Sequence, residues 1–276
     1  MHIENLYKNP DIFMFKEVFC LEKLHGTSSH VSWKDEDLKF FAGGEKHEKF
    51  ISIFDVANLA DRFRILGHND VKVFGEAYGG KCMSMKATYG DKLKFCAFDV
   101  KINDCWLSVP KAEDVVKQLN LEFVHYVKCS TNLDDLNRER DAASMQAKRN
   151  GIVEDKIREG IVIRPLIELT KNDGSRIIVK HKRDEFMETK TPREVDPTKI
   201  KILQEAQTIA EEWVVPMRLE HVLQKFIDPR MEHTGDIIRE MIQDIKRESS
   251  GEVVWNKDVD RAIGHQTVKL FKQRIK

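Results

Sequence analysis

Residues 15–26 read FKEVFCLEKLHG, and this stretch decides the fold class. Apolar and polar positions alternate, which is the period of a β-strand. The run breaks at Gly26, where a tight turn lets a bulky ligand approach the backbone. Successive strand side chains face opposite ways, so Lys23 and His25 share one face and Glu22 and Leu24 the other. A lysine at the mouth of a sheet pocket can act as a covalent nucleophile once its amine has lost its proton. A free lysine, with a pKa near about 10.4, keeps that proton at neutral pH. Neighbouring cations or a divalent metal favour the neutral amine. Read alone, Lys23 is more simply a solvated strand lysine.

The same period runs outward from this strand. Residues 30–44, HVSWKDEDLKFFAGG, read as two short strands around an acidic turn at Asp35 to Asp37. VKVFGEAYGG (71–80), KLKFCAFDVKIN (92–103), EGIVIRPLIEL (159–169) and SRIIVKHK (175–182) follow with alternating patterns. Asn172-Asp173-Gly174-Ser175 reads as a hairpin turn between the last two. Helices are expected at about 50–66, 110–120 and 134–150, where apolar residues recur at three and four. The pattern changes at TKTPREVDPTK (189–199), whose Pro192 and Pro197 bracket a polar linker.

Beyond the linker the periodicity is helical. Ile202, Leu203, Ala206, Ile209, Ala210 and Trp213 form one apolar stripe. Leu219, Val222, Leu223 and Phe226 form a second, and Ile237, Ile238, Met241, Ile242 and Ile245 a third. A fourth, short helix is expected at about 257–272. The expectation is therefore α+β, with an antiparallel-sheet domain over residues 1–193 and a small all-helical domain over 194–276.

Composition narrows the function classes. The 276 residues can bury a core without disulfides, and 41% apolar with 33% charged is ordinary for a soluble globular protein. Lys plus Arg number 46 and so do Asp plus Glu, so a polyanionic partner has to be met by a local patch rather than by bulk charge. The five cysteines show no zinc-like spacing and read as reduced thiols. MHIENLYKNPD has no apolar core of a signal peptide, and no run approaches a membrane span. A cytoplasmic monomer with no membrane partner is the expectation.

Four further segments could carry chemistry. Lys180 and Lys182, two apart in IIVKHK, point to one strand face while His181 points to the other. Two cations on one face suit a triphosphate whose charge must be neutralised as a leaving group departs. An exposed basic edge strand is the plainer reading. Glu76 and Glu159 stand in or beside apolar strands, where an unpaired charge is costly. Magnesium, a ribose hydroxyl or a lysine would offset that cost, and so would a structural ion pair. Phe98, followed by Asp99, is either a core aromatic or a platform for a purine.

Each signal is weak, but their order is specific. EKLHGT, VFGEAYGG, KFCAFDVKI, EGIVIRP and IIVKHK resemble motifs I, III, IIIa, IV and V of the covalent nucleotidyltransferases, the superfamily of DNA ligases, RNA ligases and capping enzymes. The form KxHG is most similar to the RNA ligase 2 branch, as in phage T4 and the trypanosome editing ligases. The resemblance covers roughly residues 15–190 and implies an ATP-dependent RNA ligase with a nucleotidyltransferase (adenylyltransferase) domain. It implies that Lys23 attacks the α-phosphate of ATP and holds AMP, with His25 beside that phosphate. It places Glu22 and Leu24 in the adenosine pocket, Glu76 on a ribose hydroxyl and Phe98 on adenine. Glu159 is implied as the ligand of Mg2+ or Mn2+, and Lys180 and Lys182 as contacts to the α-phosphate and pyrophosphate. Asp99 and Arg164 are second-tier candidates.

Two departures stand out. Ser28 occupies a position where the family commonly has asparagine; it still donates a hydrogen bond, with shorter reach. The family arginine of the next strand has no counterpart in FFAGG (40–44), which Lys39 and Lys46 flank.

The helical tail, where DNA ligases and capping enzymes usually carry a barrel, points to the RNA ligase 2 branch. The implied substrate is a nick in duplex RNA or an RNA–DNA hybrid. An ATP-dependent DNA nick ligase is the alternative, and a phage-encoded enzyme acting in a host cytoplasm fits the family. Lys199, Lys201, Lys225, Arg230, Lys269, Lys272 and Arg274 are candidates for gripping the nucleic acid.

Overall fold

A computed structural model describes residues 3–171, 173–187 and 195–275. The alternating stretch forms β2 (Glu17–Lys23), with Val18, Cys20 and Leu21 buried. It lies inside a five-stranded sheet ordered β1 (Glu4–Asn5), β10 (Val179–Lys182), β9 (Gly160–Pro165), β2, β8 (Tyr126–Ser130). Neighbours are antiparallel except β1 and β10. After Gly26 the chain enters a second five-stranded sheet, ordered β4 (Asp37–Phe41), β3 (Thr27–Lys34), β5 (Asp70–Tyr78), β6 (Lys94–Ile102), β7 (Cys105–Trp106) and antiparallel throughout. Asp35 and Glu36 turn the β3–β4 hairpin with φ of 50° and 64°, the left-handed pair such two-residue turns need.

The second sheet divides its residues between two faces. Val31, Trp33, Val71 and Val73 are buried with Leu59 and Phe63 of α2 (Val56–Leu66) and with Ala112 and Val116 of α4 (Val109–Gln118). Trp33 stacks on Phe63 at 5.7 Å. The alternate positions, among them Ser28, Phe74 and Glu76, line a cleft.

The expected elements formed with adjusted limits. The helix expected at 50–66 is two helices, α1 (His47–Ile51) and α2. Asp55 accepts a hydrogen bond from the Asn58 amide and so starts a new helix. The stretch 134–150 likewise divides into α5 (Leu133–Asp141) and α6 (Met145–Arg149), because Ser144 caps the second through the Ala147 amide. β9 ends at Pro165, short of the expected 169, since proline cannot donate to the ladder. β10 covers only Val179–Lys182 of the expected 175–182. Gly174 donates to the Lys171 carbonyl and Ser175 accepts from the Lys171 amide, as a turn requires, while Asn172 lies outside the described residues. Most of the expected linker at 189–199 also lies outside them.

The chain divides into two compact units, Met1–Asn9 with Glu17–Pro192 and Pro10–Lys16 with Arg193–Lys276. Pro10–Lys16 thus joins the helical unit, whereas the expectation placed it in the first domain. The helical unit contains α7 (Pro197–Trp213), α8 (Pro216–Leu223), α9 (Thr234–Glu248) and α10 (Lys257–Arg274). In its N-terminal segment, Ile12, Phe13 and Met14 are buried and pack against α7. Arg261 pairs with Asp11 at 2.8 Å, and Phe15 stacks on His265. α7 buries Leu203, Ala206, Gln207 and Ala210 and leaves Ile202 exposed, so its inner stripe is rotated from the expected one. The last helix is not short: α10 has 18 residues, started by Asn256, which accepts from the Asp258 and Val259 amides.

Candidate active site

Both sheets of the first unit contribute to a cleft of about 900 Å3, counting the space open to solvent. Leu21, Glu22, Lys23, Leu24, Val162, Arg164 and Lys180 line it from the first sheet and the chain leaving it; Ser28, Phe74, Glu76, Phe98 and Asp99 line it from the second.

Lys23 closes β2 at one end of this cleft, and its Nζ donates to Glu159 Oε2 at 3.0 Å. His25 Nδ1 lies 3.1 Å from the same oxygen. Lys182 reaches the other oxygen, Oε1, at 2.9 Å. Glu159 is 3% exposed and is the hub of the group. Burial works to raise its pKa, but the charges and hydrogen bonds of Lys23 and Lys182 outweigh it and hold the carboxyl below its ordinary range. The hub exists because Gly160 lets β9 and β10 come close: a Cβ there would lie 2.2 Å from the His181 carbonyl oxygen, and its φ is +151°. Gly26 serves the same end between the sheets, with a Cβ position 2.3 Å from the Ala77 carbonyl. His25 is further held by its backbone amide, which donates at 3.2 Å to Oη of Tyr89, the last residue of α3 (Lys86–Tyr89), and by Phe186 against its ring.

Glu76 faces the cleft beside Ser28, its cross-strand partner. Burial pushes its pKa up to about 7; Lys23 opposes this and the charge of Glu159 adds to it. Glu76 is therefore near enough to Lys23 and Glu159 to feel both charges. Among the described residues no group of three or more His, Cys, Asp or Glu could hold a metal. One or two carboxylates plus phosphate oxygens are a common donor set for Mg2+, so Glu159 fits that role with a nucleotide present.

Glu22 has a different position. It is buried and accepts from Ser144 Oγ at 2.6 Å and from the Met145 and Gln146 amides at 3.0 and 3.2 Å. Its carboxylate is committed to the start of α6 and ties that helix to the strand of Lys23. Leu24 is buried against the cleft wall.

Phe98 reaches the cleft through a β-bulge. Phe74 pairs with Asp99 and Gly75 with Ala97, so Phe98 is the extra residue between them. A bulge re-aims a side chain at the site where it occurs. It is braced from below: Arg164 donates to the Leu107 carbonyl at 2.6 Å and pairs with Asp99 at 3.0 Å, and Arg176 takes the other Asp99 oxygen at 2.5 Å. Glu168 joins both arginines, and Arg176 lies 4.0 Å over the ring of Trp106. Burial raises the pKa of Asp99, and the two arginines oppose that shift.

The structure thus brings Glu22, Lys23, Leu24, Ser28, Glu76, Phe98 and Lys180 onto one cleft, with His25, Glu159 and Lys182 joined to Lys23 at its end. His181 points to the opposite face, 2.7 Å from Asn137, and burial lowers its pKa to about 4. Sequence reading missed Tyr89, Glu168, Arg176 and Trp106. Arg176, beside the hairpin turn, was the one visible signal. The exposed strand of Lys39 places no arginine in the cleft; Lys39 pairs with Asp37 at 3.0 Å. Of the tail residues considered for nucleic acid, Lys199, Lys201, Lys225, Arg230 and Arg274 each sit beside a carboxylate, from Asp258, Glu205, Glu240, Asp228 and Glu220.

Comparison with known proteins adds a family. The RNA ligase family profile matches residues 16–182. No curated protein matches. Among solved structures, an arginine-to-alanine mutant of Naegleria gruberi RNA ligase with ATP and Mn is 19% identical, with a TM-score of 0.52, and the match covers 68% of this chain and 56% of that one. The same protein with PPi gives 19%, 0.51, 68% and 56%. A lysine-to-methionine mutant with AMP and Mn gives 18%, 0.51, 67% and 56%. The chain spans little more than half the length of these solved proteins, and at such identity the likeness is one of fold. The family profile covers the strand of Lys23, the cleft and the strand of Lys182, and on that match the chain belongs to the RNA ligase family.

Proposed function

We propose that this chain is an ATP-dependent RNA ligase that joins 3′-hydroxyl and 5′-phosphate ends through AMP held covalently on Lys23. The observation that supports it is the convergence of Lys23, His25 and Lys182 on Glu159 at the end of a cleft lined by Phe98, Glu76 and Lys180. Phe98 and Val162 offer flat and branched apolar surface to adenine, and Glu76 offers an acceptor to a ribose hydroxyl. Lys180 and Lys182 offset phosphate charge.

In the first step the neutral Lys23 amine forms a P–N bond to the α-phosphorus. The bond from that phosphorus to the bridging oxygen breaks, pyrophosphate departs, and the amine proton is lost to solvent. The 5′-phosphate of a strand then attacks the AMP phosphorus, the P–N bond breaks and Lys23 regains its proton. Finally the 3′-hydroxyl loses its proton to solvent and forms a P–O bond to the activated 5′-phosphorus, while the anhydride P–O bond breaks and AMP departs. Lys23 must leave Glu159 to react; Glu159 would then be free to hold a divalent metal, which would supply charge neutralisation at the phosphate oxygens. Positioning and charge neutralisation carry the rest.

Incubation with α-labelled ATP and Mg2+ or Mn2+ is expected to label the wild-type protein and to leave Lys23→Ala unlabelled. Equal labelling of the variant would refute the role of Lys23. The preferred substrate in this reading is a nick in duplex RNA or an RNA–DNA hybrid. Sealing rates on matched nicked RNA, DNA and hybrid duplexes test it, since the 2′-hydroxyl separates ribose from deoxyribose ends. Faster sealing of all-DNA nicks would make the chain a DNA ligase instead.

A further inference from the structure

The cleft-facing side of the second sheet continues past the nucleotide site in two ordered rows. Cross-strand register sets Phe41, His30 and Phe74 side by side on β4, β3 and β5. Their rings form a column: His30 lies 4.9 Å from Phe41 at an interplanar angle of 18° and 5.6 Å from Phe74, which in turn lies 5.1 Å from Trp106. The next row, two residues further along each strand and so about 7 Å away, is Lys39, Ser32, Lys72 and Lys101 on β4, β3, β5 and β6. Lys72 stands 5.9 Å over the Phe74 ring and Lys101 6.0 Å over that of Trp106. On the other side of the ring row lie Ser28 and Glu76 of the cleft.

The column ends at the sheet margin on Phe41, a phenylalanine 52% exposed. The carboxylates near the lysines are Asp37 on Lys39 and Asp104 on Lys101, each at 3.0 Å, together with Asp70, 3.8 Å from Lys34. Asp99 is taken up by the two arginines. Such exposed pairs are weak and exchange readily for phosphate.

We propose that this face binds an unpaired, single-stranded RNA segment that flanks the duplex beside the reactive end. A base continues the ring column by stacking on Phe41, and the lysine row takes the phosphates. Aromatic rings beside a cationic track are the general chemistry of single-strand binding. The inference rests on the ligase reading and extends it, because it places one strand on the face that runs directly into the nucleotide cleft.

The test is binding of a fluorescently labelled single-stranded RNA of mixed sequence to the full chain, with self-labelling by α-labelled ATP measured on the same preparations. Phe41→Ala is expected to weaken binding about tenfold, and Phe41→Trp to keep it. The double variant Lys72→Ala, Lys101→Ala should reduce the slope of log affinity against log salt by about 1.4. Self-labelling should be unchanged in all three. Wild-type affinity in Phe41→Ala, or an unaltered salt slope in the double variant, would overturn the proposal. A wild-type protein that binds RNA but does not self-label would instead defeat the ligase reading.

Discussion

At the scale of single residues, Glu76 gives a pH-dependent consequence of the cleft. Its pKa in the fold is about 7, against 4.5 for an ordinary glutamate. Below the ordinary value both folded and unfolded chains carry the proton. Between the two values the unfolded chain releases it first, so stability falls as pH rises, and the loss is complete above the folded pKa. The fall amounts to at most about 3 kcal/mol for such a shift. Glu76→Gln should flatten that decline in urea midpoints measured from pH 4 to 8 on the unliganded protein. Parallel curves for the variant and the wild type would show that Glu76 is not the group responsible. The same substitution should weaken ATP binding, because an amide accepts from a ribose hydroxyl less strongly than a carboxylate does.

Elements add what no single residue shows. The bulge in β6 presents Phe98, and Arg164 of β9 holds it through Asp99 and the Leu107 carbonyl. Removing one partner of a buried ion pair leaves the other poorly compensated, which costs roughly 3 kcal/mol or more. Arg164→Met is expected to lower unfolding stability by about that amount and to reduce nucleotide affinity with it. A urea midpoint unchanged from wild type would mean that Arg176 alone satisfies Asp99. The alternation around Lys23 and around Lys180 and Lys182 was legible because a strand has a strict period of two, and each of those lysines faces the side that period demands. The bulge was not legible, since register is a property of two strands and nothing in KFCAFDVKI marks the extra residue. The helix breaks at Asp55 and Ser144 were present as capping residues, but continuous apolar spacing across them hid the interruption. The commitment of Glu22 to α6 was not legible either, because it depends on a helix start more than a hundred positions away.

For the whole molecule, the division into two units does not follow a single cut in the chain. Ile12, Phe13 and Met14 are buried in the helical unit although they precede the first unit's main body. A chain truncated after Pro192 therefore keeps three apolar side chains whose partner helix is gone. It is expected to associate or precipitate in light-scattering measurements, and Ile12→Ser with Phe13→Ser should restore a dispersed protein. Truncation that leaves the protein monodisperse would show that the segment finds cover elsewhere. If self-labelling persists in the dispersed truncated chain while strand sealing falls, the helical unit acts after the first step. The paired acids along the helices make this unit less cationic than its lysine and arginine count suggests.

The split of the helical unit across the sequence also has a consequence for biosynthesis. The ribosome delivers Pro10–Lys16 early, then all of Glu17–Pro192, and only afterwards the helices that cover it. At ordinary elongation rates that interval is on the order of ten to forty seconds. Throughout it the emerging polypeptide carries a greasy segment whose covering helices have not yet been made, which makes residues 12–14 a natural place for a chaperone to hold.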